Sequence, residues 1–352
     1  MTRTTSNPAP ELSTAFPQAD EIGRWLVREM QAGDVRVTRF ERLPGGAIQD
    51  NWMLDLEVDG GTWAGAHELV LRTDAPSGVS VSLTRAQEFA VLRVAHAAGV
   101  VAPQPLLLCR DLSVIGREFF LMRRLAGIAV GHRLTREAAL VPDGDALAES
   151  LGANLARIHA VRQTCAELKD LVPPAADHAR TTIAEYRAYL DCLDDAYPAL
   201  EWGLQWCATR APVPARATLI HRDYRTGNYL VEGGHLSAIL DWEFAGWGDP
   251  REDIGWFTAR CWRFAAPDKE AGGIAHVDPF LRGYQRIAQR TVTRQELEYW
   301  QVMAHLRWAI IALQQAQRHL AGGERSLELA LTGRIVHELE YEVLHLIEKN
   351  AQ

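Results

Sequence analysis

The segment from His221 to Glu243 carries polar side chains at a spacing suited to phosphoryl transfer. It contains HRDYRTGNYLV and then ILDWE, so Asn228 follows Asp223 by five residues and Asp241 ends an apolar strand thirteen residues later. Transfer of a phosphoryl group to a hydroxyl needs one carboxylate to orient the hydroxyl and accept its proton. It also needs an amide oxygen and a second carboxylate to hold Mg²⁺. We therefore predict Asp223 as the catalytic base and Asn228 and Asp241 as magnesium ligands.

The same residues also have other interpretations. Asp223 and Asp241 fit ordinary loop or strand-end positions, where single aspartates are common. His221 is expected to support the loop by hydrogen bonding and not to bind a metal. A metallohydrolase built on His221, Asp223, His235 and Asp241 would need a transition metal held by imidazoles, whereas phosphoryl transfer needs only oxygen ligands. The presence of Asn228 favours phosphoryl transfer, and the metallohydrolase remains an alternative.

Two further aspartates follow in GDPREDIGW. Pro250 suits the first turn of a helix, and an aspartate before a helix accepts hydrogen bonds from its first amides. We therefore interpret Asp249 and Asp253 as caps of the following helix and not as catalytic groups.

The predicted secondary structure that must position these residues changes near Arg124, from mainly strands to mainly helices. Before it, periodicity and turn signals predict a helix at 20–30, strands at 35–43, 52–58 and 68–72, a helix at 82–98, and strands at 105–109 and 118–122. After it, the pattern predicts helices at 145–161, 178–195, 198–209, 250–263, 278–289, 293–319 and 324–347, with β structure at 218–231 and 236–240. The sequence thus predicts an α+β chain with a β-rich small lobe and a mainly helical large lobe.

Composition excludes several classes of protein. Apolar residues make up 47% and charged residues 23% of the 352 positions, as in a globular chain with a substantial core. The net charge of −8 argues against nucleic acid as a general partner. Five cysteines without a C-x-x-C pair indicate reduced thiols, and no apolar run is long enough for a signal peptide or a membrane span. We expect a cytoplasmic protein that binds neither nucleic acid nor membrane.

The motifs closely resemble those of the aminoglycoside phosphotransferase and choline kinase-like family, relatives of the protein kinases. Beyond HRDYRTGNYLV and ILDWEFAGWGDPREDIGW, the stretch FFLMRRLAG resembles the family's hinge and LGANLARIHAV its first large-lobe helix. The chain is similar to the branch that includes kinase-like domains fused to some acyl-CoA dehydrogenases. The resemblance implies a bilobal protein-kinase-like fold. A flexible arm, 1–17, would precede an N-lobe, 18–124, that covers the nucleotide and a C-lobe, 125–352, with the catalytic loop, metal site and acceptor pocket.

The resemblance also implies a donor and its binding residues. The donor would be ATP or GTP, bound with Mg²⁺. The Arg123 carbonyl and the Leu125 amide would contact adenine beside Met122, and Glu243 would assist in metal binding. Gly45 and Gly46 match the loop that covers the phosphates, although an ordinary hairpin turn explains them equally well.

One position departs from the wider superfamily. Only three residues of the chain are lysines and none lies before Lys169, so Arg72 stands in ELVLRTDAP where the superfamily has a lysine. Arginine is always charged, and its planar fork can bind both the α/β-phosphates and Glu88. Glu88 resembles the glutamate of the small-lobe helix that pairs with this cation in the family. Transfer is therefore chemically possible, and a pseudokinase-like module that only binds nucleotide is the alternative.

The acceptor is the open part of the prediction. Residues 137–215 contain twelve acidic and six basic side chains, which suits a cationic acceptor. Four arginines near the hinge suit an anionic or apolar one: Arg123, Arg124, Arg133 and Arg136. We predict a kinase that phosphorylates an alcohol group of a small molecule. The acceptor is either an aminoglycoside or a hydroxyacyl or other metabolite, and the oligomeric state is left open.

Overall fold

The computed structural model describes residues 19–43, 49–75, 82–321 and 326–350. By their contacts, the described residues up to 75 together with 106–124 form one compact unit, and those of 82–105 together with the described residues from 125 onward form a second. The segment that carries the predicted small-lobe helix thus groups with the second unit. The lobe boundaries 1–17, 18–124 and 125–352 stay a prediction.

The chain up to Arg123 alternates strands with three helices. In order these are α1 Ala19–Met30, β1 Asp34–Arg42, β2 Gln49–Asp59, β3 Gly65–Asp74, α2 Arg85–Ala97, β4 Pro105–Cys109, α3 Leu112–Ile115 and β5 Phe119–Arg123. Helix α2 starts later than predicted because the Thr84 side chain accepts a hydrogen bond from the Gln87 amide. The Gln87 side chain in turn accepts one from the Thr84 amide, so the two residues form a capping box.

The five strands form one sheet in the order β1-β2-β3-β5-β4. The pairs β1–β2, β2–β3 and β3–β5 are antiparallel. Apolar side chains on one face of the sheet pack with those of α1 into a continuous core that includes Trp25, Leu26, Leu54, Leu71 and Phe119. Alternation along each strand sends every second side chain to this core, so the hydrophobic pattern fixes the register.

The second unit is mainly helical beyond Leu125. Its further elements are α4 Gly131–Arg136, α5 Gly144–Ala160, α6 His178–Leu190, α7 Pro198–Arg210, β6 Thr218–Ile220, β7 Tyr229–Glu232, β8 His235–Ile239, β9 Gly246–Gly248, α8 Pro250–Thr258, α9 Val277–Ala288, α10 Arg294–Leu320, α11 Leu327–Arg334 and α12 Val336–Lys349. In the part of the chain that the structure describes, no helix is both long and apolar enough to span a bilayer.

Two predicted elements are divided in the structure. The segment 324–347, predicted as one helix, contains α11 and α12, with Ile335 between them. Side chains of α12, among them Val336, Leu339 and Val343, pack into the apolar core around α10. The predicted β segment 218–231 contains β6 and β7, and between them lies the polar loop 221–228 that was predicted to follow a short strand at 218–220.

Helices α5 and α9 cross at two glycines. A Cβ on Gly152 would lie 2.0 Å from the Phe280 carbonyl oxygen, and a Cβ on Gly283 would lie 2.0 Å from the Glu149 carbonyl oxygen. No other side chain fits at either position without moving a backbone. The contact brings α5 close enough to α9 for side chains further along both helices to meet in the site described below.

Replacing Gly152 with alanine should therefore destabilise the protein, although alanine favours helices. The overpacking should lower the free energy of unfolding by about 1–3 kcal/mol. Denaturant unfolding followed by circular dichroism measures the change. Ser150→Ala on the same helix is the control and should have little effect. A Gly152→Ala variant as stable as the parent would contradict the close contact.

Candidate active site

The loop between β6 and β7 carries the predicted catalytic residues. It is closed by two backbone hydrogen bonds, from the Asn228 amide to the Arg225 carbonyl (3.0 Å) and from the Leu240 amide to the Asn228 carbonyl (2.8 Å). The second bond joins the end of the loop to the chain just after β8. Asp241 follows directly, so the loop and the second predicted carboxylate are parts of one β-hairpin unit.

The Asp223 carboxylate receives hydrogen bonds from three side chains. Its Oδ1 accepts from Trp256 Nε1 at 3.0 Å and from Arg225 Nε at 3.2 Å, and its Oδ2 accepts from Asn228 Nδ2. The side chain is 17% exposed, so the held carboxylate remains open on one side. A carboxylate fixed in this way is suited to orient a hydroxyl and accept its proton.

Asn228 is fixed by the same contacts. Its Nδ2 donates to the Asp223 carbonyl oxygen at 3.0 Å as well as to the carboxylate, and the residue is only 3% exposed. Because both bonds use the amide nitrogen, Oδ1 is the atom that stays available as a ligand. The backbone of Asp241 has φ of +59°, a conformation that is uncommon for residues other than glycine and that clusters at functional sites.

These oxygens fit a hard cation. An amide oxygen and a carboxylate are ligands that Mg²⁺ accepts, and no imidazole or thiolate is required. Across the described ranges, no group of three or more His, Cys, Asp or Glu side chains is arranged to hold a metal ion. The predicted magnesium roles of Asn228 and Asp241 stay a prediction.

His221 has both ring nitrogens engaged. Its Nε2 lies 2.9 Å from the Leu240 carbonyl oxygen and must donate to it, and its Nδ1 accepts from the Asp223 amide at 3.3 Å. Burial lowers the pKa of His221 below its usual value, so the ring is neutral. The histidine supports the loop, as predicted. Because neither nitrogen is left for a metal, the metallohydrolase alternative loses its central ligand.

Asp253 holds the other side of the loop. Its Oδ2 accepts from the His221 amide and its Oδ1 from the Arg222 amide, both at 2.7 Å. Oδ2 also lies 3.0 Å from His159 Nε2, and the residue is fully buried. The interpretation of Asp253 as a helix cap is wrong, because its side chain points to the loop. It fixes the two residues that precede Asp223.

His159 links this carboxylate to the crossing of α5 and α9. Its Nδ1 lies 2.9 Å from the Tyr284 hydroxyl, on α9, while its Nε2 contacts Asp253. The close packing at Gly152 therefore positions a buried chain of hydrogen bonds that ends on the loop that carries Asp223. Sequence reasoning gave His159, Tyr284 and Asp253 no role in the site.

Asp249 is a helix cap, as predicted. Its Oδ1 accepts from the Arg251 amide at 3.0 Å, one residue beyond Pro250 at the start of α8. The Arg251 guanidinium also bonds both oxygens of Asp249, so the cap is a buried ion pair.

Helix α8 also presents Trp256 to the Asp223 carboxylate. The Arg307 guanidinium lies 4.6 Å from the centre of the Trp256 ring and donates to Glu252 at 3.1 Å. Burial raises the pKa of Glu252, but hydrogen bonding and charge from His178 and the charge of Arg307 outweigh this and lower it to about 2. The ionised Glu252 thus holds Arg307 against the indole that contacts Asp223.

Among the predicted nucleotide ligands, Arg72 and Glu88 are both buried. Arg72 Nη1 donates to Asn51 Oδ1, across the β2–β3 pair, at 3.3 Å. Glu88 forms an ion pair with Arg85, one turn earlier on α2. Sequence reasoning missed Arg85, a second cation beside the predicted glutamate. Binding of Arg72 to Glu88 and to phosphates stays a prediction.

The remaining predicted residues have structural contacts of other kinds. Met122 and Arg123 lie in β5, opposite Val70 and Leu69 of β3, and the Glu243 carbonyl oxygen accepts from the Leu83 amide at 2.7 Å. Leu125 follows β5 directly. Gly45 and Gly46 lie outside the described residues. Nucleotide contacts and the metal role of Glu243 stay predictions.

Comparison with known proteins shows the family of the chain. Residues 39–290 match the model of the phosphotransferase enzyme family. Mouse acyl-CoA dehydrogenase family member 10 is 31% identical over 62% of this chain and 20% of its own length. Human acyl-CoA dehydrogenase family member 11 is 24% identical over 75% of this chain and 35% of its own length. The chain thus spans about a fifth to a third of these relatives.

Solved structures share the fold. A putative aminoglycoside phosphotransferase from Ralstonia eutropha has a TM-score of 0.72 at 19% identity, with 94% of this chain and 98% of the other covered. An aminoglycoside phosphotransferase mutant in complex with ADP and hygromycin B has a TM-score of 0.60 at 15% identity, with 94% and 99% covered. At these identities the similarity shows the kinase-like fold alone. The family match covers well over half of the chain and includes Asp223, Asn228 and Asp241, and the chain therefore belongs to the phosphotransferase enzyme family.

Proposed function

We propose that this phosphotransferase moves the γ-phosphoryl group of ATP or GTP to a hydroxyl of a small-molecule acceptor. The observation that carries the proposal is the Asp223 carboxylate, which three side-chain donors hold in one orientation while it stays partly open to solvent. In a kinase the main work of the protein is positioning and charge stabilisation, and this arrangement supplies a positioned base.

Asp223 acts on the acceptor. The acceptor hydroxyl donates its hydrogen bond to the carboxylate, its oxygen attacks the γ-phosphorus, and the bond from that phosphorus to the β–γ bridging oxygen breaks. The proton passes to Asp223 as the new P–O bond forms. The donors from Trp256 and Asn228 keep the carboxylate oriented, and the loop amides bound to Asp253 keep the backbone in place.

Asn228 Oδ1 and the Asp241 carboxylate would hold Mg²⁺ beside this base. When bound, the ion neutralises charge on the nucleotide phosphates. The fit rests on the orientation of the Asn228 amide, whose nitrogen is used by Asp223.

Fold neighbours support a nucleoside triphosphate as donor. Solved aminoglycoside phosphotransferases were crystallised with ADP, with AMP-PNP and with GDP. Because both adenine and guanine nucleotides occur among them, we keep ATP and GTP as candidate donors.

A nucleotide-binding module without transfer is the second candidate. Its motivation is Arg72, which is buried in β3 at the position where a lysine is expected. Thermal shift with ATP and Mg²⁺ detects binding, and a screen of mixed hydroxyl compounds for an ATP-dependent mass gain of one phosphoryl group detects transfer. Binding without transfer to any compound, and without ATP consumption, would favour the module.

Replacing Asp241 with alanine should remove the magnesium-dependent part of nucleotide binding. Loss of a charged ligand should weaken the affinity for MgATP by at least about 10-fold, since a charge-assisted contact contributes about 1.5–3 kcal/mol. Calorimetric titration of ATP with and without Mg²⁺ measures the effect. Glu232→Ala, at an exposed carboxylate on the same hairpin, is the control. Unchanged MgATP affinity in the Asp241 variant would exclude the metal role.

A further inference from the structure

The Arg225 guanidinium lies beside the catalytic carboxylate. Its Nε is 3.2 Å from Asp223 Oδ1, its Nη1 donates to the Thr226 carbonyl oxygen at 3.3 Å, and its Cζ lies 4.6 Å from the centre of the Trp262 ring. The planar group is thus held on its face by an indole and on two of its nitrogens by hydrogen bonds.

One nitrogen of this guanidinium is still available. Among the described residues, Nη2 has no hydrogen-bond partner, and the side chain is 27% exposed. Nη2 shares an edge of the planar group with Nε, the atom that contacts Asp223. A Cβ on Gly227 would lie 2.9 Å from Arg225 Nη1, so the glycine leaves room for the guanidinium in this position. An open donor with a full positive charge therefore lies next to the catalytic base.

Holding Asp223 does not by itself require Arg225. Trp256 donates to the same oxygen at a shorter distance, and Asn228 holds the other oxygen. Nearby carboxylates are used by other partners: Glu252 by His178 and Arg307, and Asp253 by the loop amides. Among the ion pairs seen in the described residues, Arg225 pairs with Asp223.

We propose that Arg225 selects an acceptor that carries an anionic group a few bonds from the hydroxyl to be phosphorylated. The inference rests on the proposed function and adds the chemical class of the acceptor. The hydroxyl must come within about 2.6–3.2 Å of Asp223, which brings its near substituents to the edge of Arg225. A carboxylate or phosphate there forms a charge-assisted hydrogen bond with Nη2, whereas an ammonium group is repelled.

Two of the four arginines that the sequence suggested for an anionic acceptor, Arg124 and Arg133, are less suited to this role. Arg133 forms two hydrogen bonds with Glu137, and Arg124 pairs with Asp55 and Glu68. Their charges are already compensated by carboxylates that take no part in catalysis. Arg225 instead pairs with the reacting base itself, so its charge lies at the position where an acceptor must enter.

The test compares three series of short hydroxyl compounds of equal chain length, ending in a carboxylate, a carboxamide or an amine. Wild type, Arg225→Gln, Arg225→Lys and the control Arg260→Gln are compared. Binding is measured by ligand-observed NMR without nucleotide, and kcat and KM for phosphoryl transfer are measured with MgATP. Wild type should prefer the carboxylate over the carboxamide by about 10- to 100-fold in affinity and in kcat/KM.

Arg225→Gln should remove this preference mainly through KM, Arg225→Lys should keep part of it, and Arg260→Gln should keep it fully. Equal affinity and equal kcat/KM of wild type for the three series would overturn the proposal. An unchanged preference for the carboxylate in Arg225→Gln would overturn it as well. So would an equal loss of kcat for all acceptors, because that result assigns Arg225 to the transferring phosphoryl group. Carboxylate-selective binding without any transfer would support the anionic site and count against the proposed kinase function.

Discussion

Replacing Asp223 with asparagine should lower turnover by about 100- to 10,000-fold, the range that positioned acid–base groups contribute. The amide has nearly the same shape as the carboxylate but cannot accept the proton of the acceptor hydroxyl. It also places an NH₂ group opposite one of the present donors, either Trp256 Nε1 at the Oδ1 position or Asn228 Nδ2 at the Oδ2 position. Nucleotide affinity should change little, because Asp223 is not a predicted metal ligand.

Phosphoryl transfer to the acceptor found by screening measures the turnover, and titration with MgATP measures the affinity. Asp268→Asn, at an exposed aspartate of the same unit, should behave as the parent protein does. Turnover within a few-fold of the parent in Asp223→Asn would show that another group accepts the proton. A parallel loss of MgATP affinity would instead move Asp223 to the metal site.

Replacing Asp253 with asparagine should destabilise the protein more than any other single substitution considered above. Its two oxygens accept from the amides of His221 and Arg222 and contact His159, all in a fully buried position. An asparagine keeps one of these oxygens and turns a donor toward the remaining partners. Removing one side of such a buried charged network costs about 3–5 kcal/mol of unfolding free energy.

Denaturant unfolding measures this loss, and hydrogen exchange of the His221 and Arg222 amides reports whether the catalytic loop opens. The control is Asp278→Asn, at an exposed aspartate in the first turn of α9. Exchange should accelerate at the loop amides in Asp253→Asn and remain slow in the control. Unchanged stability and exchange would show that Asp253 does not hold the loop.

Several parts of the fold were predictable because their causes are local. Hydrophobic alternation predicted β1, β2 and β3, and strand β4 matches its predicted bounds, since side-chain periodicity is a property of consecutive residues. The turn between α11 and α12 was not predicted, because it follows from packing against α10 and leaves no strong signal in the local pattern.

In the candidate site, too, local contacts could be predicted from the sequence and contacts between distant residues could not. Asp223 and Asn228 are five residues apart on one loop, so the spacing of the motif is enough to predict that they lie close together. Asp253 belongs to a recognised motif, but its role depends on partners 31, 32 and 94 residues away. Its position in the first turn of a helix suggested a cap, and only the fold turned its side chain toward the loop.

The sequence by itself determined the family and the order of the main strands and helices, and it predicted the residues proposed for phosphoryl transfer, because motif spacing and periodicity act over a few residues. The tertiary structure decided how those residues are held. It added Trp256 and Arg225 to the carboxylate of Asp223 and placed the chain His159–Asp253 beneath the loop. The contacts of Trp256 and His159 depend on the packing of distant helices, which the spacing of one segment does not encode.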